Sequence, residues 1–143
     1  MSRMAVIYWS MSGNTESMAK AIAEGATEAG AEVSLFEVTS ISAKDALTYD
    51  LLALGCPSMG DEVLEEADFE PFFEELEKDL AGKKVAIFGS YGWGDGKWMR
   101  DWQTRVREAR AELFSFEGLI IHETPDDGGI ARCKKFGGDF AKY

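Results

Sequence analysis

The sequence predicts an α/β protein: a parallel sheet of five strands with helices on both faces. Three observations lead there. Short apolar runs alternate with stretches whose apolar residues recur at steps of three and four, the pattern of strands joined by crossover helices. The run Leu51-Leu52-Ala53-Leu54 and the run Val85-Ala86-Ile87-Phe88 are continuously apolar, as parallel strands covered on both faces must be. The turns that follow three of these runs are rich in Gly, Ser and small polar residues. In an open parallel sheet such turns stand at the carboxyl ends of the strands, where ligands bind.

Each element can be justified in order. Ala5-Val6-Ile7-Tyr8-Trp9 is the first strand, and an alanine-rich helix over residues 14–29 follows its turn, with Gly30 as the stop. Residues 33–38 alternate, with Val33 and Leu35 expected inward and Ser34 and Glu37 outward, as at a sheet edge. Residues 39–50 are weakly patterned and predict a loop with one helical turn. Residues 51–54 form a central strand. Phe69, Phe72, Phe73, Leu76 and Leu80 recur at helical spacing before Gly82, which marks a helix with one buried face. Residues 83–89 are the next central strand. Met99, Trp102, Val106, Ala109 and Leu113 continue the helical step from about Lys97. Leu119-Ile120-Ile121 is the fifth strand, and a last helix runs from about Asp127 or Ile130 towards Ala141 with Cys133, Phe136 and Phe140 inward. No linker, repeat or low-complexity tract interrupts the alternation, so one domain over residues 1–143 is expected.

Composition narrows the function. With 143 residues and 45% hydrophobic content the chain can bury a substantial core. No apolar run is long enough to span a bilayer, and Met-Ser-Arg-Met followed by five apolar residues is no signal peptide, so a cytoplasmic protein is expected. Cys56 and Cys133 are too few for a disulfide framework and read as reduced thiols; the single His122 leaves no zinc cluster. A formal net charge of −11 argues against a nucleic-acid partner, whose phosphates require Lys and Arg. Between Asp61 and Asp79 stand ten acidic residues against one base, Lys78. Such a run is a solvated helix face, a docking surface for a basic protein, or both.

The turn Ser10-Met11-Ser12-Gly13-Asn14-Thr15 opens the first helix. Its hydroxyls and closely spaced amides stand where helix N–H groups lack partners and the dipole is positive, which makes a phosphate cradle. No basic residue lies between Arg3 and Lys20, the lysine of a nucleotide-hydrolase loop is missing, and so is G-x-G-x-x-G. One terminal phosphate, as on a mononucleotide, suits the cradle best. An ordinary Ser- or Asn-capped helix that binds nothing uses the same residues.

Residues 8–16 (Tyr-Trp-Ser-Met-Ser-Gly-Asn-Thr-Glu), 54–62 (Leu-Gly-Cys-Pro-Ser-Met-Gly-Asp-Glu) and 88–99 (Phe-Gly-Ser-Tyr-Gly-Trp-Gly-Asp-Gly-Lys-Trp-Met) resemble the three FMN loops of the short-chain flavodoxins of anaerobic bacteria. The similarity covers essentially the whole chain and is clearest over residues 4–102. It implies the three-layer, doubly wound flavodoxin-like fold, with the strand order 2-1-3-4-5 known for flavodoxins. It implies non-covalent FMN, with its phosphate held by Ser10, Ser12, Asn14 and Thr15 and by the amides from Met11 through Gly13 to Thr15. Met59 and Trp93 would flank the isoalloxazine, as flat or adaptable apolar side chains suit a large ring. Ser58, Ser90 and Tyr91 belong to the same loops; Glu62 would hold the pyrimidine edge, and the backbone of Gly92, Trp93 and Gly94 the carbonyl and N1 side.

The resemblance also implies redox tuning by Met59, Gly60, Asp61 and Trp93. The Gly60-Asp61 peptide would rotate on one-electron reduction, so that its carbonyl accepts a hydrogen bond from flavin N5 and stabilises the neutral semiquinone. A residue without Cβ makes both orientations cheap. One net hydrogen bond of about 1 kcal/mol corresponds to about 40 to 45 mV for one electron. The acidic run opposes the second electron: like charges about 10 Å apart at an effective dielectric of about 20 repel by about 1.7 kcal/mol before screening. The implied function is a monomeric, low-potential carrier, not an enzyme, cycling between semiquinone and hydroquinone. Its redox partners would dock near Asp61, Glu62, Glu65 and Glu66. Met11 stands where the family often has a smaller residue, Ser12 where threonine is common, and Pro57 removes an amide donor. The same fold class also serves two-electron flavin reductases, phosphorylation-switched signalling domains and electron-donating activators of radical enzymes; Ser10 and Cys56 stand at the strand ends where a signalling domain needs aspartates.

Overall fold

The computed structural model describes residues 2–143. Strand β1 (Arg3–Tyr8) leads through the Ser10 turn into helix α1 (Asn14–Glu28), and strand β2 (Glu32–Glu37) follows. A 3₁₀ turn (Val38–Ser40) and the one-turn helix α2 (Ala43–Ala46) precede β3 (Leu51–Gly55). Helix α3 (Phe69–Glu77), strand β4 (Lys84–Tyr91) and helix α4 (Lys97–Glu108) come next. The chain closes with β5 (Glu112–Leu113), a 3₁₀ turn (Phe114–Phe116), β6 (Leu119–His122) and α5 (Asp127–Ala141).

All strand pairs are parallel, in the order β2-β1-β3-β4-β5, and β6 also pairs with β4. Alternate residues of the central strands feed two cores. Ala5, Ile7, Leu52, Leu54, Val85 and Ile87 pack with the apolar faces of α2, α3 and α4. Met4, Val6, Leu51, Ala53, Ala86 and Phe88 pack with α1 and α5. The expected layers, helices and strand order are therefore present. The consequence for function is that the ends of β1, β3, β4 and β6 open on one edge of the sheet.

Three expectations need correction. The helix after β4 ends at Glu108, and Leu113 belongs to β5 rather than to the helix. The helix is stopped by Arg110 at φ 64, with the Ala111 N–H donating to Val106 O at 3.3 Å. A left-handed residue normally announces itself as glycine or asparagine, and an arginine there carries no such signal. The fifth strand position is consequently filled by two segments, β5 against Lys84 and Val85 and β6 against residues 88–91, not by one strand. Leu35, expected inward, is 38% exposed, because β2 is the edge strand of the sheet. The third correction concerns Glu65, expected on the docking surface. It is buried, and its carboxylate accepts the amides of Ala67, Asp68 and Phe69 at 2.7, 2.8 and 2.8 Å, so it caps α3.

Candidate functional site

The Ser10 turn is built from the inside. Ser10 Oγ accepts the Gly13 amide at 3.1 Å and the Glu16 amide at 3.2 Å. Gly13 takes the left-handed conformation, φ 96, and begins α1 without a side-chain cap; the Ser17 amide, donating to Gly13 O at 2.9 Å, makes the first helical hydrogen bond. The amides of Asn14 and Thr15 precede that bond and are free of it, at the positive end of the helix dipole. Ser10 accepts two hydrogen bonds, which leaves its own proton to be donated outward.

A second brace ties this turn to β4. Thr15 is buried, its Oγ1 lies 2.8 Å from Ser90 Oγ, and the Ser90 amide donates to it at 3.3 Å. Whichever hydroxyl donates, one proton of the pair remains unspent. The Ser58 amide in turn donates to Ser90 O at 3.1 Å, joining the loop after β3 to the same point.

Behind these loops the backbones approach closely. A Cβ on Gly89 would lie 2.1 Å from Cys56 O, and Trp98 Nε1 donates to that same oxygen at 3.1 Å. Cys56 itself is fully buried, and burial pushes its thiol well above the ordinary range. It supports the loop rather than offering a nucleophile. His122 is exposed and its ring stands 5.1 Å from that of Tyr91, which also meets Trp98 at 5.5 Å.

Together the loops enclose a cleft of about 200 Å³. Ser10, Met11, Ser12, Asn14 and Thr15 line it from the first loop, Ser58 and Met59 from the second, and Ser90, Tyr91, Gly92 and Trp93 from the third. Met11 and Trp93 are 72% and 54% exposed at its rim. Gly13, Gly60, Asp61, Glu62 and Gly94 stand outside the lining. Gly60, φ 52, and Asp61 form the tip of a hairpin closed by reciprocal 2.9 Å bonds between Met59 and Val63. The Glu62 carboxylate accepts the Lys97 amide at 3.2 Å, at the start of α4.

Pro57 of the second loop also lines the cleft, and so do Glu123 and Thr124, which were not expected. Glu123 is held at φ 59 with its amide donating to Tyr91 O at 2.8 Å. Its residue type gives no hint of this; only the rule that ligands sit beyond the carboxyl ends of parallel strands points to the segment after β6. No lysine or arginine is among the lining residues, and Glu123 is the one charged side chain there. The cleft therefore binds by neutral donors and by the amides of α1. Among the described residues no cluster of metal-ligating side chains occurs, and no helix is long and apolar enough to cross a membrane.

The flavodoxin family profile matches residues 6–137. The chain belongs to the flavodoxin family. A flavodoxin of Clostridium beijerinckii is 48% identical over 134 residues, covering 94% of this chain and 96% of that one. A flavodoxin of Megasphaera elsdenii is 42% identical over 137 residues, covering 96% and 97%. The solution structure of the two-electron reduced Megasphaera elsdenii flavodoxin superposes with a TM-score of 0.88 at 41% identity over 98% of this chain and 99% of that one. Flavodoxins are electron-transfer proteins with FMN as cofactor, not enzymes, and they serve redox enzymes as carriers. This flavodoxin thus has its cleft where the fold places a mononucleotide.

Proposed function

We propose that this flavodoxin holds FMN non-covalently in the cleft between its three loops and carries single electrons at low potential between larger redox enzymes of the cytoplasm. The observation that carries the reading is the composition of that one cleft. Spare hydroxyl protons and helix amides stand on the wall formed by the first loop, without a basic residue, while Met59 and the exposed indole of Trp93 stand on the others. The first set suits a single phosphate and the second a large flat ring. The orphaned buried hydroxyl of Ser58 on the cleft lining is a further mark of a polar ligand.

Bound FMN supplies the one-electron chemistry; the chain supplies binding, orientation and electrostatics. Ser10, Ser12, Asn14 and Thr15 hold the phosphate with the amides of α1. The Gly60-Asp61 peptide would turn its carbonyl towards the edge of the bound ring as a hydrogen-bond acceptor. The tip is open around Gly60: beyond its chain neighbours, a Cβ built there would meet only a Val63 methyl at 4.0 Å. Glu62 reaches the ring edge by leaving the Lys97 amide. Asp61, Glu62 and Glu66 present negative charge to a basic partner and oppose the second electron. Glu70 and Glu77 do not share that role, because Arg105 takes both, at 2.7 and 3.0 Å.

Stepwise anaerobic reduction of the FMN-loaded protein tests the reading. A blue phase between the yellow and the bleached forms is expected, with a second couple below that of free FMN that rises with salt. Bleaching in one step would overturn the one-electron part, and failure to bind added FMN the cofactor part.

A further inference from the structure

Three hydroxyl-bearing residues of the cleft lining are buried: Thr15, Ser58 and Ser90 are 1%, 4% and 6% exposed. The hydroxyls of Thr15 and Ser90 are bonded to each other. Ser58 Oγ has no partner. Among the described residues only one other buried side-chain atom is in that position, Trp102 Nε1. The two differ in surroundings. Trp102 stands edge-on to Phe69 and Phe73 in an apolar core, at 5.4 and 5.9 Å, whereas Ser58 is on the lining of the cleft. Burying a hydroxyl without a partner is costly, and a group that enters the cleft would repay it.

The contacts of Ser58 indicate which group that is. Its amide is bonded to Ser90 O, and Ser90 touches Thr15 at the start of α1, so on one side it adjoins the phosphate turn. On the other side it is followed directly by Met59. It stands between the residues assigned to the phosphate and those assigned to the ring. We propose that Ser58 Oγ is a hydrogen-bonding contact for the hydroxylated chain that joins ring and phosphate in the bound cofactor; this rests on the FMN reading above. A chain of hydroxyls both donates and accepts, and so does serine, so the pair needs no particular proton arrangement. Serine has one side-chain torsion with staggered wells, and turning its oxygen towards a ligand is easy.

The test compares wild type with Ser58→Ala on three flavins, with apoprotein melting measured alongside. Affinity for FMN and for riboflavin should fall by the same factor, about five- to tenfold, the effect of one lost hydrogen bond. Affinity for lumiflavin, which lacks the chain, should not change. The apoprotein should melt no lower than wild type, since an unpaired hydroxyl has been removed. Ser58→Cys, which keeps the volume with a poor donor, should follow Ser58→Ala. Loss for FMN alone would assign Ser58 to the phosphate, loss for lumiflavin would assign it to the ring, and a lowered apoprotein melting point would assign it to the scaffold; each overturns the proposal. Unchanged affinities in both variants overturn it as well. A wild type that binds none of the three flavins overturns the FMN reading itself.

Discussion

At the level of single residues, Gly94 and Glu62 fit closely beside the cleft. A Cβ on Gly94, which has φ 78, would lie 2.3 Å from Glu62 Oε1. Alanine there carries two penalties, a left-handed backbone and a displaced carboxylate that no longer meets the Lys97 amide. Gly94→Ala is expected to lower stability by about 1 to 3 kcal/mol in urea unfolding. Gly92→Ala is the control, since nothing lies within 4 Å of its Cβ and its backbone is ordinary; it should stay within about 0.5 kcal/mol. Equal stability of the two variants would contradict this placement of Glu62.

At the level of the elements, three helices reveal how much is decided by single contacts to the backbone. Helix α3 has Asp68 at its N-cap, but the Asp68 side chain makes no cap; Glu65 caps it instead, with three amides on one carboxylate. Glu65→Ala is expected to cost about 2 to 3 kcal/mol, because charge-assisted bonds to orphan amides are lost together, while exposed Glu66→Ala should be nearly silent. Thermal unfolding of the two variants distinguishes a cap from a surface charge. Helices α1 and α5 cross so closely that a Cβ on Gly137 would stand 2.0 Å from Ile22 O, and one on Gly25 2.0 Å from Lys134 O. Both obstacles are backbone, so neither can yield as a side chain would. Gly137→Ala should destabilise by about 3 kcal/mol or more, read as a shifted urea midpoint.

At the scale of the molecule, 26 acidic residues against 15 basic ones make the folded state repel itself. Pairing relieves little of it, because most ion pairs, such as Lys78 with Glu75, are exposed. Raising the ionic strength from about 0.01 M to about 0.15 M shortens the Debye length from about 30 Å to about 8 Å. The melting temperature of the apoprotein should therefore rise over that range, and a flat response would mean that the repulsion is already spent in local pairs. The same field is what a basic redox partner would meet.

The features governed by local pattern are legible without the fold. Period and apolar continuity mark each helix and central strand, as in Phe69, Phe72, Phe73 and Leu76, all buried where the spacing places them. The three loops were legible because small and hydroxyl residues cluster at strand ends, and one edge of a parallel sheet must gather those ends. Tertiary structure decided whatever depends on residues far apart in the chain. Leu113 kept a helical spacing but left the helix, because Arg110 turns the backbone and β4 offers a strand partner. Glu65 looked like one more surface acid until α3 turned three amides towards it. Glu123 and Thr124 entered the cleft through the position of β6 rather than through their own chemistry. Ser58 is a plain serine in the sequence; only the burial that leaves its oxygen without a partner separates it from Thr15 and Ser90, whose hydroxyls found each other across 75 residues.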